Sequence, residues 1–147
     1  MSLLVGGQIL ASSSGSSRPE FYQPINTSGA TVQAGQLAAK DGAGTGIILA
    51  IATALATEAI GFAESDIGAG GSGVVRTDGT LDLADWTAAT GAAALVPGST
   101  YWLDAVTTGR MSTAAPAAAP GVIAQAVGKA LSASTFSIEI QSPVVLA

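Results

Sequence analysis

The sequence predicts an all-β fold, an antiparallel β-barrel or β-sandwich with an extended N-terminal arm. Turn-forming residues recur at short intervals from residue 26 onward, and the stretches between them have the length and alternation of β-strands. Many short strands joined by glycine-rich turns favour a barrel or a sandwich. The 147 residues suit one domain, which we place at residues 27–147, preceded by an arm or linker at residues 1–26.

The arm contains two stretches of different composition. Residues 11–17 are almost all Ser, Gly or Ala, which is typical of a flexible linker. In the stretch that follows, a pair of adjacent aromatics is flanked by prolines, so the chain is stiff and carries a large apolar surface. One interpretation is that the two aromatics cover the open end of the domain's own core. The other is that the segment becomes ordered on a partner, and the predicted contact residues are then Arg18, Phe21, Tyr22 and Pro24.

The strongest strand signal lies near the C-terminus. Phe136, Ile138 and Ile140 alternate with polar residues, which predicts a half-buried antiparallel strand at residues 135–141. Residues 121–131 also have the pattern of a strand, and a Ser-Ala-Ser turn pairs the two as a hairpin. Further strands are predicted at residues 31–39, 47–51, 59–64, 73–83 and 100–106.

Three local patterns give more detailed expectations. Strict alternation within residues 121–131 puts Val127 and Lys129 on one face, with Lys129 directed toward solvent. The Asp-Gly pairs at residues 41–42 and 78–79 each stand between strand-like stretches and predict hairpin turns. Residues 50–57, rich in Ala and Leu, are the one candidate for a short helix, the alternative being an irregular crossover.

Composition excludes most familiar catalytic groups. The chain has no Cys and no His, which removes thiol nucleophiles, imidazole bases and the commonest zinc and copper ligands. Lys40 and Lys129 are the only conceivable bases for activating a Ser or Thr nucleophile, and Lys129 is expected in solvent. We therefore predict a protein that is not an enzyme and that needs no cofactor and no metal.

The charge content indicates how the chain meets its partners. Charged residues are 10% of the chain, against roughly a quarter in a usual soluble domain, which favours partial burial in an assembly over the alternative of an alanine-rich secreted monomer. The net charge is −5 and the five cations are scattered, so no nucleic acid partner is expected. The uncharged residues 42–57 are too short to span a membrane, and the N-terminus lacks the basic region of a secretion signal.

Two motifs have a structural interpretation beside a functional one. Residues 68–73 match the GxGxxG pattern of dinucleotide sites, but the next residues have strand character where that site needs a helix, so a hairpin loop is favoured. The aromatics of the main domain can stack sugar rings, although such residues more often anchor a core or an interface. They are Trp86, Tyr101 and Trp102.

Four carboxylates give the most specific hypothesis of an enzyme, since a converging pair of carboxylates can hydrolyse glycosides. Their settings are turns and strand edges, where solvated acids also block unwanted strand pairing. A weak calcium site is a minor alternative, because the oxygen ligands are present but the spacing matches no known loop. The residues are Asp78, Asp82, Asp85 and Asp104.

Two sequence strings carry a family resemblance. They are PGSTYWL at residues 97–103 and VGKALS at residues 127–132, and they stand in a segment order that extends over about residues 29–141. This order resembles the β-rich domain of the decoration, or cement, proteins of tailed-bacteriophage capsids, a domain shared with some phage head-fibre and tail-fibre modules.

The resemblance implies a structural virion protein. It would be made in the host cytoplasm, would bind the phage major capsid protein on the outer surface of the assembled capsid, and would clamp neighbouring capsomers. Such families form homo-oligomers, often trimers, with an N-terminal arm along the shell. The alternative that the resemblance leaves open is a head-fibre or tail-fibre module that binds a host receptor or glycan.

Overall fold

The computed structural model describes residues 21–146 and is nearly all β, which confirms the predicted fold class. The helical residues in this range are a 3-10 turn at Leu55–Thr57 and a one-turn α-helix, α1, at Thr87–Thr90. The strands are β1 Phe21–Tyr22, β2 Ile25–Asn26, β3 Leu37–Lys40, β4 Gly46–Leu49, β5 Gly61–Ala63, β6 Val75–Arg76, β7 Asp78–Asp82, β8 Thr100–Leu103, β9 Met111–Ser112, β10 Ile123–Ala124, β11 Ala126–Ala130, β12 Thr135–Glu139 and β13 Val144–Val145.

The first sheet closes on itself as a small barrel. Its strand order is β1-β6-β5-β3-β4-β2, so β1 and β2 stand at opposite ends, yet only Gln23 and Pro24 separate them in the chain. Five strand spacings of about 4.8 Å make about 24 Å, whereas three Cα steps reach at most about 11 Å. The sheet must therefore curl until its two edges meet. Residues 21–26 are the segment that closes it.

The barrel encloses a small aliphatic interior, and its wall separates that interior from a larger core. On β3, Ala38 belongs to the barrel interior, whereas Leu37 and Ala39 belong to the larger core. This alternation buries β3 on both faces, as the pleat of a central strand requires. The buried residues of the barrel interior are Val32, Ala38, Ile47, Ala63, Ile67 and Val75.

The second sheet has five antiparallel strands in the order β7-β12-β11-β8-β9 and covers the outside of the barrel. Phe136 of β12 stands at the centre of the shared core. Its ring lies 5.2 Å from that of Phe62 in the barrel wall, 5.8 Å from Trp86 and 5.7 Å from Tyr101. Tilted and edge-to-face rings at these distances attract each other beyond their burial, so Phe136 joins the two sheets.

The C-terminal hairpin is confirmed. β11 and β12 pair antiparallel across residues 132–134, with Ala130 opposite Phe136. Phe136 and Ile138 are buried and Ile140 packs against the same core, whereas Glu139 and Gln141 are exposed. The predicted strand at residues 73–83 is two strands in the structure, β6 and β7, and the predicted strand at residues 121–131 is also two, β10 and β11.

The prediction of an Asp-Gly hairpin at residues 78–79 is wrong. β6 and β7 belong to different sheets and do not pair, so the chain crosses from the barrel to the second sheet at this point. Gly79 does supply a positive φ of 83°, which is the local property that the motif indicates. A local turn signal does not determine whether the chain returns to the same sheet. The other Asp-Gly hairpin, between β3 and β4, is confirmed.

The prediction of strict alternation in β11 is also wrong, because a β-bulge interrupts the alternation of side chains. The register of β11 against β8 shifts between Ala126 and Gly128, and after the shift Lys129 is exposed while Val127 and Ala130 are buried. Lys129 therefore reaches solvent as expected, but on the face opposite Val127 rather than on the same face. A side chain at Gly128 would overlap the carbonyl oxygen of Ser137, so the bulge needs glycine.

Several predicted elements are shorter than expected. The strand at residues 31–39 begins only at Leu37, and the strand at residues 100–106 ends at Leu103. Residues 50–57 form a crossover that ends in the 3-10 turn, rather than a continuous helix.

Candidate functional site

The predicted partner-contact residues fall at the start of the described chain. Arg18 lies outside the described residues. Phe21 and Tyr22 form β1 and pair with Arg76 and Val75 of the barrel. Pro24 is buried, and its carbonyl oxygen accepts a hydrogen bond from Gly73 N–H at 3.4 Å. The backbone of residues 21–26 thus belongs to the barrel wall, and their contact with a partner stays a prediction.

Two of the three large aromatics serve the protein's own core. Trp86 is fully buried and its Nε1–H donates to the Ser134 carbonyl oxygen at 2.8 Å. Tyr101 is buried as well, and its hydroxyl oxygen accepts a hydrogen bond from Val96 N–H at 2.9 Å. Trp102 is half-buried. Of the three candidates for sugar stacking, only Trp102 has a partly accessible ring.

The predicted carboxylates have structural settings. Asp82 is exposed opposite Thr135 at the outer edge of β7. Asp104 accepts a hydrogen bond from Thr107 N–H at 2.9 Å, which fixes the loop after β8. Asp85 accepts one from Thr87 N–H at 2.9 Å, and the Thr87 hydroxyl is the main cause that lowers the pKa of Asp85. Among residues 21–146, no three carboxylates lie close enough together to hold a metal ion.

A polar groove of about 500 Å³ is a feature that the sequence did not indicate. It brings Asp66 and Asp85 together with Arg110, from three distant regions of the chain, beside Gln33 and Thr87. Asp66 and Asp85 are exposed and Arg110 is half-buried, so all three charges stay hydrated. Because hydrated charges gain little from pairing, we assign this groove no role.

The buried polar side chains hold the fold together. Asn26 donates to the carbonyl oxygens of Ala30 and Ile67, at 2.7 and 2.8 Å, and so fixes the loops at one end of the barrel. Gln125 exchanges hydrogen bonds with the backbone of Ala59, at 2.8 and 3.0 Å, which ties the link between β10 and β11 to the segment before β5. Since these groups are satisfied within the chain, they point to no ligand.

An uncharged face lies where three segments of the chain meet, at residues 51–57, 119–124 and 143–146. Ile123 N–H donates to the Ala52 carbonyl oxygen at 2.8 Å, and Leu146 N–H donates to that of Val122 at 2.7 Å. None of these residues is Asp, Glu, Lys or Arg. Within these segments, Leu55, Val144 and Val145 are 51%, 61% and 56% exposed. Exposed apolar residues on uncharged segments of the chain are typical of a contact surface.

Within residues 21–146, no helix is both long enough and apolar enough to cross a membrane. The chain matches no protein-family model, and no curated protein matches it.

Proposed function

We propose that this chain is a structural protein of a bacteriophage virion. It binds the outer surface of the assembled capsid as a homo-oligomer, contacts the major capsid protein and clamps neighbouring capsomers.

The observation that carries this proposal is how the two strings with the family resemblance are arranged. PGSTYWL leads into β8 and VGKALS covers most of β11, and these strands are neighbours in the five-stranded sheet. Lys129 pairs with Thr100 and Gly128 with Tyr101, while Gly98 N–H donates to the Ala130 carbonyl oxygen at 2.8 Å. Segments that are distant in sequence thus form one structural unit, as expected if the resemblance reflects a shared domain.

The mechanism follows from mass action. A protein that binds only the assembled lattice stabilises it by RT ln(1 + [L]/Kd) for each site. The low charge of this chain suits such a contact, because few ions need to lose water when the surfaces meet. Its aromatic core and closed barrel provide a rigid body for it.

The alternative of a fibre module that binds a glycan has less support. Sugar stacking needs accessible aromatic faces, and Trp86 and Tyr101 are buried.

The proposal is tested with heads purified from a phage mutant that lacks this gene. We expect the purified full chain to add to expanded heads at saturating, symmetric positions in electron micrographs, and to raise the temperature at which the heads disrupt. The matched variant replaces residues 1–17 with a Gly/Ser sequence of equal length, which keeps β1. Loss of the apolar side chains in residues 1–10 should weaken attachment at least tenfold, since burying one large side chain contributes about 1.5–3 kcal/mol.

Absence of saturable binding to heads would show that the chain is not a decoration protein. Binding of the full chain to host-cell glycans, with none to heads, would favour the fibre alternative. Equal attachment of the full chain and the Gly/Ser variant would leave decoration intact and would show that residues 1–17 make no contact with the shell.

A further inference from the structure

The outer edge of β13 presents a hydrogen-bonding pair at Val145, an N–H and a C=O without partners among residues 21–146. In an antiparallel ladder, residues alternate between those that bond across the pair and those whose N–H and C=O point away. Leu146 N–H bonds to the Val122 carbonyl oxygen, which makes Leu146 and Val122 a bonded pair. Val145, opposite Ile123, is therefore the residue whose N–H and C=O point away from β10. The geometry at Ile123 is consistent with this, because its N–H points away from β13 and donates to the Ala52 carbonyl oxygen.

The side chains of β13 face solvent on both sides of the strand. Val144 and Val145 point in opposite directions, as neighbours on a strand do, and both are more than half exposed. An uncharged apolar edge of this kind is a template for strand pairing. The five-stranded sheet differs at its β7 edge, where Asp82 is exposed. The two edges are thus opposite in character.

The distribution of charge indicates where two copies of the chain can meet. Each copy carries a net charge of −5, so two copies repel each other over most of their surface. On the uncharged face this local repulsion is weakest and apolar side chains are already exposed. A second copy also matches the edge chemically, because a two-fold axis brings Val145 opposite the Val145 of the other copy. Each N–H then donates to the other's C=O, which is the bonded pair of an antiparallel ladder.

We propose that the uncharged face is a self-association surface on which β13 of one copy pairs antiparallel with β13 of a second copy, centred on Val145. Leu55, Val122 and Val144 supply apolar contact around this pair. Pro143 limits the pairing, because it sits at the next outward position and has no N–H to donate. The contact is consequently a closed dimer, which differs from the trimer that the family resemblance implies. It does not rest on the proposed capsid function.

Sedimentation of the full chain over a concentration series tests this proposal. Val145→Pro removes the outward N–H, which bonds to no other residue in the described range, and Val144→Glu places a charge in the uncharged face. The matched controls are Val96→Glu and Leu131→Glu, because these residues are 54% and 56% exposed but lie outside that face. We expect a wild-type dimer, a dimer Kd raised at least tenfold by each change in β13, and no change in the controls. Thermal unfolding of every variant checks that the fold is kept, and Val144→Glu alone decides if Val145→Pro does not fold.

A wild-type chain that stays monomeric up to about 0.1 mM, where even weak specific contacts are populated, would overturn the proposal. So would a trimer, or a dimer that both β13 variants leave intact. If the β13 variants lose head binding while the wild-type chain is a monomer, the face contacts the capsid and the self-association proposal is wrong. A dimer that fails to bind heads would refute only the capsid function.

Discussion

The barrel and the five-stranded sheet keep water out of their interiors in different ways. The barrel closes on itself, and a few small aliphatic side chains fill the space inside. The five-stranded sheet has two free ends, β7 and β9, and its core is built around the aromatic rings that contact Phe136. Closure removes strand edges, whereas an open sheet must bury its face under large side chains. The barrel should therefore depend on its closing segment, and the sheet on one ring.

The largest effect should come from removing that ring. Phe136→Ala deletes three aromatic contacts and leaves a cavity between the two sheets, so we expect a loss of about 3–5 kcal/mol in the free energy of unfolding. A smaller change in the barrel interior is Ile47→Val, which deletes a single carbon and for which about 0.5–1.5 kcal/mol is expected. Urea denaturation measures both.

Equal losses in these two variants would contradict the central position of Phe136. If Phe136→Ala does not fold, Phe136→Leu retains some of the volume and gives a measurable midpoint for the same comparison.

The alternation of buried and exposed side chains along a strand was predictable from the sequence, because it depends on neighbours along the chain. Residues 135–141 show this best, since a regular two-residue period leaves only one face for Phe136 and Ile138. The bulge at Gly128 could not be located in this way. It depends on the approach of Ser137 from the partner strand, which the local pattern does not contain.

Features that depend on strand order were not predictable from local patterns. The prolines around Phe21 and Tyr22 indicated an extended segment correctly, but no local signal shows that such a segment closes a barrel between β6 and β4. The uncharged face has the same origin. Residues 119–124 and 143–146 are visibly uncharged in the sequence, yet only the pairing of β10 with β13 brings them together.

A second prediction tests the role of the closing segment. Removal of residues 1–17 keeps β1 and is the reference for this comparison. Removal of residues 1–24 deletes β1 and also the carbonyl oxygens of Gln23 and Pro24, which accept hydrogen bonds from Ser72 and Gly73. At about 1 kcal/mol for each lost bond, we expect a loss of about 2–4 kcal/mol.

Hydrogen exchange locates this effect. In the longer truncation the amide of Val75, which faces β1, should lose protection, while that of Arg76, which faces β5, and those of Phe136 and Ile138 on β12 should keep it. Equal stability of the two truncations would show that the barrel does not need β1.

The smallest expected effect concerns a hydrogen bond between Thr27, directly after the closing segment, and the β3–β4 turn. The Thr27 hydroxyl donates to Asp41 Oδ2 at 2.8 Å, and Thr45 N–H donates to Oδ1 at 3.0 Å. The Thr27 bond is the main cause that lowers the pKa of Asp41 from its ordinary value of 3.8. A lowered pKa in the folded state stabilises the protein above the unfolded value, and this contribution is lost as the pH falls through the folded value. Asp41 lies at the surface and stays partly exposed, so the change in stability should be small and confined to acid conditions. Thr27→Val should raise the pKa of Asp41 toward 3.8 in an NMR titration, while Thr31→Val, also on an exposed residue of the same loop, should leave it unchanged. An unchanged pKa in Thr27→Val would show that the turn's backbone amides, rather than the Thr27 hydroxyl, hold the carboxylate.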